Sequence, residues 1–139
     1  MKIKRELYHI LIETSPVVPP ETGGLLGGQN NIVTVYVADQ GIGDGFNRYV
    51  PNVDALNSVI MKWNQQEIDF LGLYHTHYLG GYGLSDGDIL YIKAILMAMP
   101  ERVQRLYFPL VFPSDQMLCF TAERKDNGVY ISEDIIELI

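Results

Sequence analysis

Two histidines, His75 and His77, stand two residues apart, and Ser85 and Asp88 follow them at short range. The histidines close the run Ile68 to Tyr74, which is short, apolar and bounded by turn residues and so reads as a buried strand. Side chains at i and i+2 of a strand share a face, so both imidazoles can converge on one point. A glycine-rich stretch with Gly80, Gly81 and Gly83 comes next, and Ser85 and Asp88 then open a helical pattern. Positions i and i+3 share a helix face, which lets Asp88 look back toward the strand end. Two imidazoles and a carboxylate with a fourth position open are the donor set of a catalytic zinc site. A plainer reading of the same residues has its own physics. Ser85 is a good N-cap, Asp88 in the first turn complements the helix dipole, and two strand-end histidines can share a hydrogen bond.

A second acid bears on this chemistry. Pro16-Val17-Val18-Pro19-Pro20 is a stiff, extended connector, because proline fixes φ and biases its predecessor toward extended geometry. It delivers Glu21 to Gly28, where four glycines beside Leu25 and Leu26 predict a short buried strand approached closely by another backbone or a substrate. Glu21 at its entry is either a solvent-facing rim carboxylate or a general base beside the metal, its proton affinity set by burial and the cation. Zinc lowers the pKa of bound water to about 7. Glu21 would take the water's proton and pass it to a leaving amine. Ser85 would donate a hydrogen bond to the oxyanion of a tetrahedral intermediate. That set fits hydrolysis of an amide, and the glycines keep the rim low, as an extended peptide requires.

These side chains need a scaffold. The pattern predicts a helix over residues 3–13, ended by Thr14-Ser15-Pro16, with His9 on it as a structural or surface residue. Ile32 to Ala38 reads as a strand. The segment from Asp39 to Gly45 reads as a hairpin turn leading to a partner strand, Phe46 to Val50, and it lacks the spacing and closing Glu of a calcium loop. Val53 to Trp63 is expected to be a helix with Asn52 as N-cap and an apolar stripe of Leu56, Val59, Ile60 and Trp63. Ile89 to Met99, closed by Pro100, is apolar enough that burial of much of its surface is expected. Tyr107 to Phe112 is a core strand limited by Pro109 and Pro113, and Met117 to Ala122 is another, with Cys119 as a small buried hydrophobe. Asp126-Asn127-Gly128 signals a hairpin turn, and Val129 to Ile131 is its returning strand. The tail, Ser132 to Ile139, fits a last strand or a short helix. Its exposed alternative is a partner-binding strip.

The totals exclude several classes. At 139 residues, with no internal repeat and no low-complexity tract, one domain over 1–139 is expected. Hydrophobic residues make up 47% and charged ones 19%, the balance of a folded globule. A net charge of -7 argues against nucleic acid or an anionic membrane as partner, because phosphate binding needs a cationic surface. No apolar run reaches membrane-spanning length, and one cysteine cannot form an internal disulfide, so a cytoplasmic location is expected. A nucleotide deaminase needs a C-x-x-C pair for zinc, which Cys119 alone does not provide.

The residues E-x-x-G-x-L-x-G at Glu21 to Gly28 and H-x-H-x7-S-x2-D at His75 to Asp88 resemble the JAB/MPN/Mov34 metalloprotease motif, often called JAMM. The resemblance covers most of the chain. It implies an α/β fold: a cytidine-deaminase-like three-layer sandwich, with a mixed central β-sheet flanked by helices and one zinc ion. It also implies a hydrolase that cuts peptide or isopeptide bonds at the C-terminal tail of ubiquitin or a ubiquitin-like protein. On this resemblance Glu21 is the acid/base, His75, His77 and Asp88 bind zinc, and Ser85 steadies the oxyanion. The family usually carries proline after the second histidine. Tyr78 stands here instead and would loosen the loop or offer its ring to the substrate. The chain is short and looks like the compact prokaryotic members, which widens the expected substrates to a sulfur-carrier protein with a Gly-Gly tail or a tagged conjugate. A non-catalytic scaffold or binding module of the same fold is the alternative, and a homodimer is left open.

Overall fold

The computed structural model describes residues 1–42, 49–78 and 83–139. In chain order its elements are β1 (Lys2–Ile3), α1 (Arg5–Thr14), β2 (Gly23–Gln29), β3 (Ile32–Asp39), α2 (Val53–Gln65), β4 (Asp69–Thr76), α3 (Asp86–Ala98), β5 (Arg105–Phe112), β6 (Gln116–Lys125), β7 (Gly128–Asp134) and β8 (Glu137–Leu138). The strands form one mixed eight-stranded sheet in the order β7-β6-β5-β4-β2-β3-β1-β8. β4 runs parallel to β5, and β1 runs parallel to both β3 and β8; the other neighbours are antiparallel. Because β7 and β8 occupy the two ends of that order yet are separated by only two residues, the sheet curls so that the end of β7 comes close to the start of β8.

Alternation along the strands divides the core. Leu26, Val33, Tyr74 and Val111 pack with Leu7, Leu11 and Ile12 of α1. Their neighbours Leu25, Leu73 and Phe108 pack with Leu56 and Trp63 of α2 and with Ile92 and Leu96 of α3. His75 and His77 continue the Leu73 face, so both project on the α3 side. Gly27 lets α2 sit close to the sheet: a Cβ there would meet the Trp63 ring at 2.6 Å. At Gly72 a Cβ would overlap the Tyr107 carbonyl, so the approach of β4 to β5 also requires glycine.

Several expectations change against this architecture. The helix expected over 3–13 starts at Arg5, because Lys2 and Ile3 pair with both β3 and β8. The partner of β3 on one side is β2, joined to it by Asn30 and Asn31, both with positive φ (54° and 61°). Asparagine tolerates that conformation, and a two-residue turn of this hand matches the twist of the strands. The partner strand expected at Phe46 to Val50 lies largely outside the described residues, and its last two, Tyr49 and Val50, are not in a strand. Pro109 does not limit β5; it sits inside it, opposite Cys119 of β6. The tail resolves as the end of β7 and as β8, not as a helix. The α3 helix is less buried than its composition predicts: Ile92 and Leu96 are buried, whereas Leu90 is 70% and Met97 56% exposed. No helix among the described residues is long and apolar enough to cross a membrane.

Candidate metal centre and its cleft

The end of β4 is the fixed side of the site. Gly23 pairs with His75, and Thr76, fully buried between the histidines, binds the backbone of Thr22. The Thr22 N–H donates to Thr76 Oγ1 at 2.9 Å, and the Thr76 N–H donates to the Thr22 carbonyl at 2.7 Å. These bonds hold the chain beside β4 one residue after Glu21. The His77 N–H donates to the Val111 carbonyl (2.9 Å), which extends the parallel pairing with β5 past the second histidine.

Four of the residues expected to do chemistry meet here. The Nε2 atoms of His75 and His77 are 3.0 Å apart. Asp88 turns one carboxylate oxygen to each: Oδ1 lies 3.4 Å from His75 Nε2 and Oδ2 3.3 Å from His77 Nε2. One donor atom each from Glu21, His75 and His77 fall within 4.8 Å of one another, a spacing that can hold a metal ion. The histidine pair is thus approached by Glu21 in one such set and faced by Asp88 through two ion-pair contacts. Nitrogen and oxygen donors of this kind suit divalent transition metals such as zinc, copper, iron and nickel.

Ser85 serves the helix as well. Its Oγ accepts the Asp88 N–H at 3.1 Å, and Asp88 Oδ2 accepts the Ser85 N–H at 2.9 Å, a reciprocal capping box. The capping role and the alignment of Asp88 are thus one arrangement, since the cap fixes where the carboxylate points. The Ser85 hydroxyl accepts in this bond, so its proton is left to donate outward. Burial pushes the Asp88 carboxyl up, but hydrogen bonds from His75 and His77, the charge of His75 and the Ser85 N–H outweigh it and hold it well below the usual carboxylate range.

Two tyrosines flank the buried His75. The Tyr49 ring stacks on it with planes 14° apart and centroids 6.4 Å apart. The Tyr91 ring meets it edge-on, with its hydroxyl 3.4 Å from Nδ1. A partner on Nδ1 leaves Nε2 facing the other donors, the usual device for orienting a metal-binding imidazole. The Tyr49 N–H donates to Glu21 Oε2 at 3.3 Å. Tyr91 was available to sequence reasoning as the residue three after Asp88 on one helix face. Tyr49 falls in the segment that the sequence reads as a strand, but it belongs to a connection, so strand periodicity does not say where its side chain points.

The site opens into a cleft of about 610 Å³. Glu21, His77, Ser85 and Asp88 form its polar end, while Val50, Pro51, Leu90 and Ala94 supply apolar wall. Tyr78 is not among the described residues lining it; its hydroxyl donates to the Pro16 carbonyl at 2.7 Å and ties the strand end to the proline connector. Of the glycine rim, Gly80 and Gly81 lie outside the described residues, and a Cβ at Gly83 would meet open space.

No family model matches the chain, and no curated protein matches it in sequence. Solved structures do. A protein of Desulfitobacterium hafniense, determined in solution, superposes with a TM-score of 0.63 at 16% identity, over 99% of this chain and 93% of that one. A JAB1/MPN domain protein of Archaeoglobus fulgidus superposes with a TM-score of 0.54 at 15% identity, over 100% of this chain and 99% of that one. The chain has the JAB1/MPN domain fold. A Salinibacter ruber protein gives 0.55 at 14% identity, over 100% and 92% of the two chains. At these identities the likeness concerns the fold alone.

Proposed function

We propose that the chain is a zinc-dependent hydrolase of peptide or isopeptide bonds, acting in the cytoplasm on the C-terminal tail of a ubiquitin-like or sulfur-carrier protein. The curled sheet and its helices are read as a cytidine-deaminase-like sandwich. One observation carries the reading: the paired imidazole nitrogens of His75 and His77 are approached by the carboxylates of Glu21 and of Asp88 beside a cleft of about 610 Å³.

His75, His77 and Asp88 are assigned as ligands, because each oxygen of Asp88 already faces an imidazole Nε2. Zinc held there would supply a Lewis acid and a water of pKa about 7. Glu21 takes the proton of the attacking water on its carboxylate and later gives it to the leaving amine. Ser85 would donate a hydrogen bond from its hydroxyl to the oxyanion of the tetrahedral intermediate. Val50, Pro51, Leu90 and Ala94 hold the peptide and exclude water from it.

The test uses a ubiquitin-like protein with a Gly-Gly tail fused to a reporter, followed by intact mass spectrometry and metal analysis. Wild type is expected to carry about one zinc per chain and cut after the tail. Glu21→Gln is expected to keep the zinc and lose cleavage. A non-catalytic scaffold would leave the fusion intact in both, and cleavage by Glu21→Gln at the wild-type rate would remove the acid/base assignment.

A further inference from the structure

Asp39 is a carboxylate outside the proposed chemistry, yet three donors among the described residues converge on it. It ends β3 and is half buried. Its Oδ1 accepts the Gly41 N–H at 3.0 Å. Its Oδ2 accepts the Tyr49 hydroxyl at 2.7 Å and the Asn52 N–H at 3.0 Å. Both described ends of the connection between β3 and α2 therefore meet on one side chain. Asn52 itself caps α2 through the Ala55 N–H.

Tyr49 is the link from Asp39 to the site. Its ring is 8% exposed and lies flat against His75, and its N–H reaches Glu21. The ring occupies a slot that two glycines keep open. A Cβ at Gly23 would come within 2.7 Å of it, and one at Gly41 within 3.2 Å. A tyrosine hydroxyl at this depth needs an acceptor, and Asp39 is that acceptor. Burial first, then the bond to Asp39, pushes the Tyr49 hydroxyl well above its ordinary value, so it stays a donor. Without the bond the ring loses this anchor, and Glu21 regains side-chain freedom that the Tyr49 N–H restricts.

We propose that Asp39 is a positioning residue: through the Tyr49 hydroxyl it sets the Tyr49 N–H against Glu21 and the Tyr49 ring against His75. The catalytic part of this inference rests on the reading of Glu21 as the acid/base. The positional part does not.

The experiment has two readouts on the full chain, for wild type, Asp39→Asn, Tyr49→Phe and Glu21→Gln. The first is amide hydrogen exchange by NMR on metal-free protein, which needs neither substrate nor zinc. The residue-49 amide is expected to exchange about tenfold faster or more in Tyr49→Phe and Asp39→Asn, with the Leu25 and Leu73 amides of the sheet unchanged. Tyr49→Phe keeps the ring and its size, so a general loss of fold is not expected. The second readout is kinetics of the zinc-loaded forms on a Gly-Gly-tailed ubiquitin-like protein carrying a C-terminal fluorogenic amide. For both variants kcat is expected to fall about 10- to 100-fold with KM within about twofold and zinc content unchanged. Unchanged exchange at residue 49 overturns the proposal whether or not the protein proves to be a hydrolase. Faster exchange with unaltered kcat overturns its catalytic part. Absence of cleavage in wild type removes the acid/base reading and leaves the positional part to the exchange result.

Discussion

Asp88 does three jobs with one carboxylate: it faces both imidazoles, accepts the Ser85 N–H and stays ionised because those partners outweigh its burial. Glu21 competes with it for the third ligand position, since either acid can complete a set with the histidines. Asp88→Asn keeps an acceptor for the Ser85 N–H and removes the charge. Competition with a chromophoric chelator should therefore show a large loss of zinc affinity for Asp88→Asn and little for Glu21→Gln; the reverse order would make Glu21 the ligand. Tyr91 tests the outer layer. Tyr91→Phe removes the hydroxyl near His75 Nδ1 and should weaken zinc binding roughly 10- to 100-fold. Equal affinity would mean that packing alone orients the ring. The histidines, Ser85 and Asp88 were legible in the sequence because periods of two and of 3.6 convert spacing directly into a shared face. Asp39 and Tyr49 were not, because no period connects residues at the two ends of an irregular segment.

The α3 helix shows how one element carries both a fold signal and a site signal. Its Ser85 cap lines the cleft, so stability and chemistry overlap in one hydroxyl. They separate by substitution. Ser85→Ala should lower unfolding free energy by about 1 kcal/mol, whereas Ser85→Gly should lower it by only a few tenths of that. Both lack the hydroxyl, so both should lose catalysis alike. Denaturant melts beside rate measurements check this, and full activity in Ser85→Gly would end the oxyanion role. The same helix explains a misreading. Its apolar composition signals burial, but Leu90 and Ala94 face the cleft and Met97 is exposed. Composition cannot distinguish a wall built for a ligand from one built for the core. In β5 the sequence misleads in the other direction: proline is unfavourable inside a strand, and Pro109 is held there between β4 and β6 by the surrounding sheet. Short β1 was invisible, because two residues have no period and gain their state only from β3 and β8.

At the scale of the molecule the sheet order places β7 and β8 at opposite ends, and the two residues between them must bring those ends together. Asp134 sits at that junction. Its Oδ2 accepts from Thr121 Oγ1 at 2.8 Å and from the N-terminal ammonium at 2.9 Å, and that ammonium also donates to the Ile135 carbonyl at 2.7 Å. Burial pushes the Asp134 carboxyl up, but the ammonium, the Thr121 hydroxyl and the Ile135 N–H outweigh it and hold it below its ordinary value. The sign follows from linkage. A carboxyl depressed in the folded state contributes stability that is complete above the unfolded value of about 3.9 and is lost as pH falls through the folded value. Wild type should therefore melt at a higher temperature than Asp134→Asn at neutral pH, and the gap should narrow as pH is lowered below about 4. Thermal melts of metal-free protein in a pH series test this, with zinc left out so that ligand protonation at the metal centre does not contribute. A gap that stays constant down to acid pH would mean that Asp134 joins the edges through its shape alone and that its charge adds nothing to the closure.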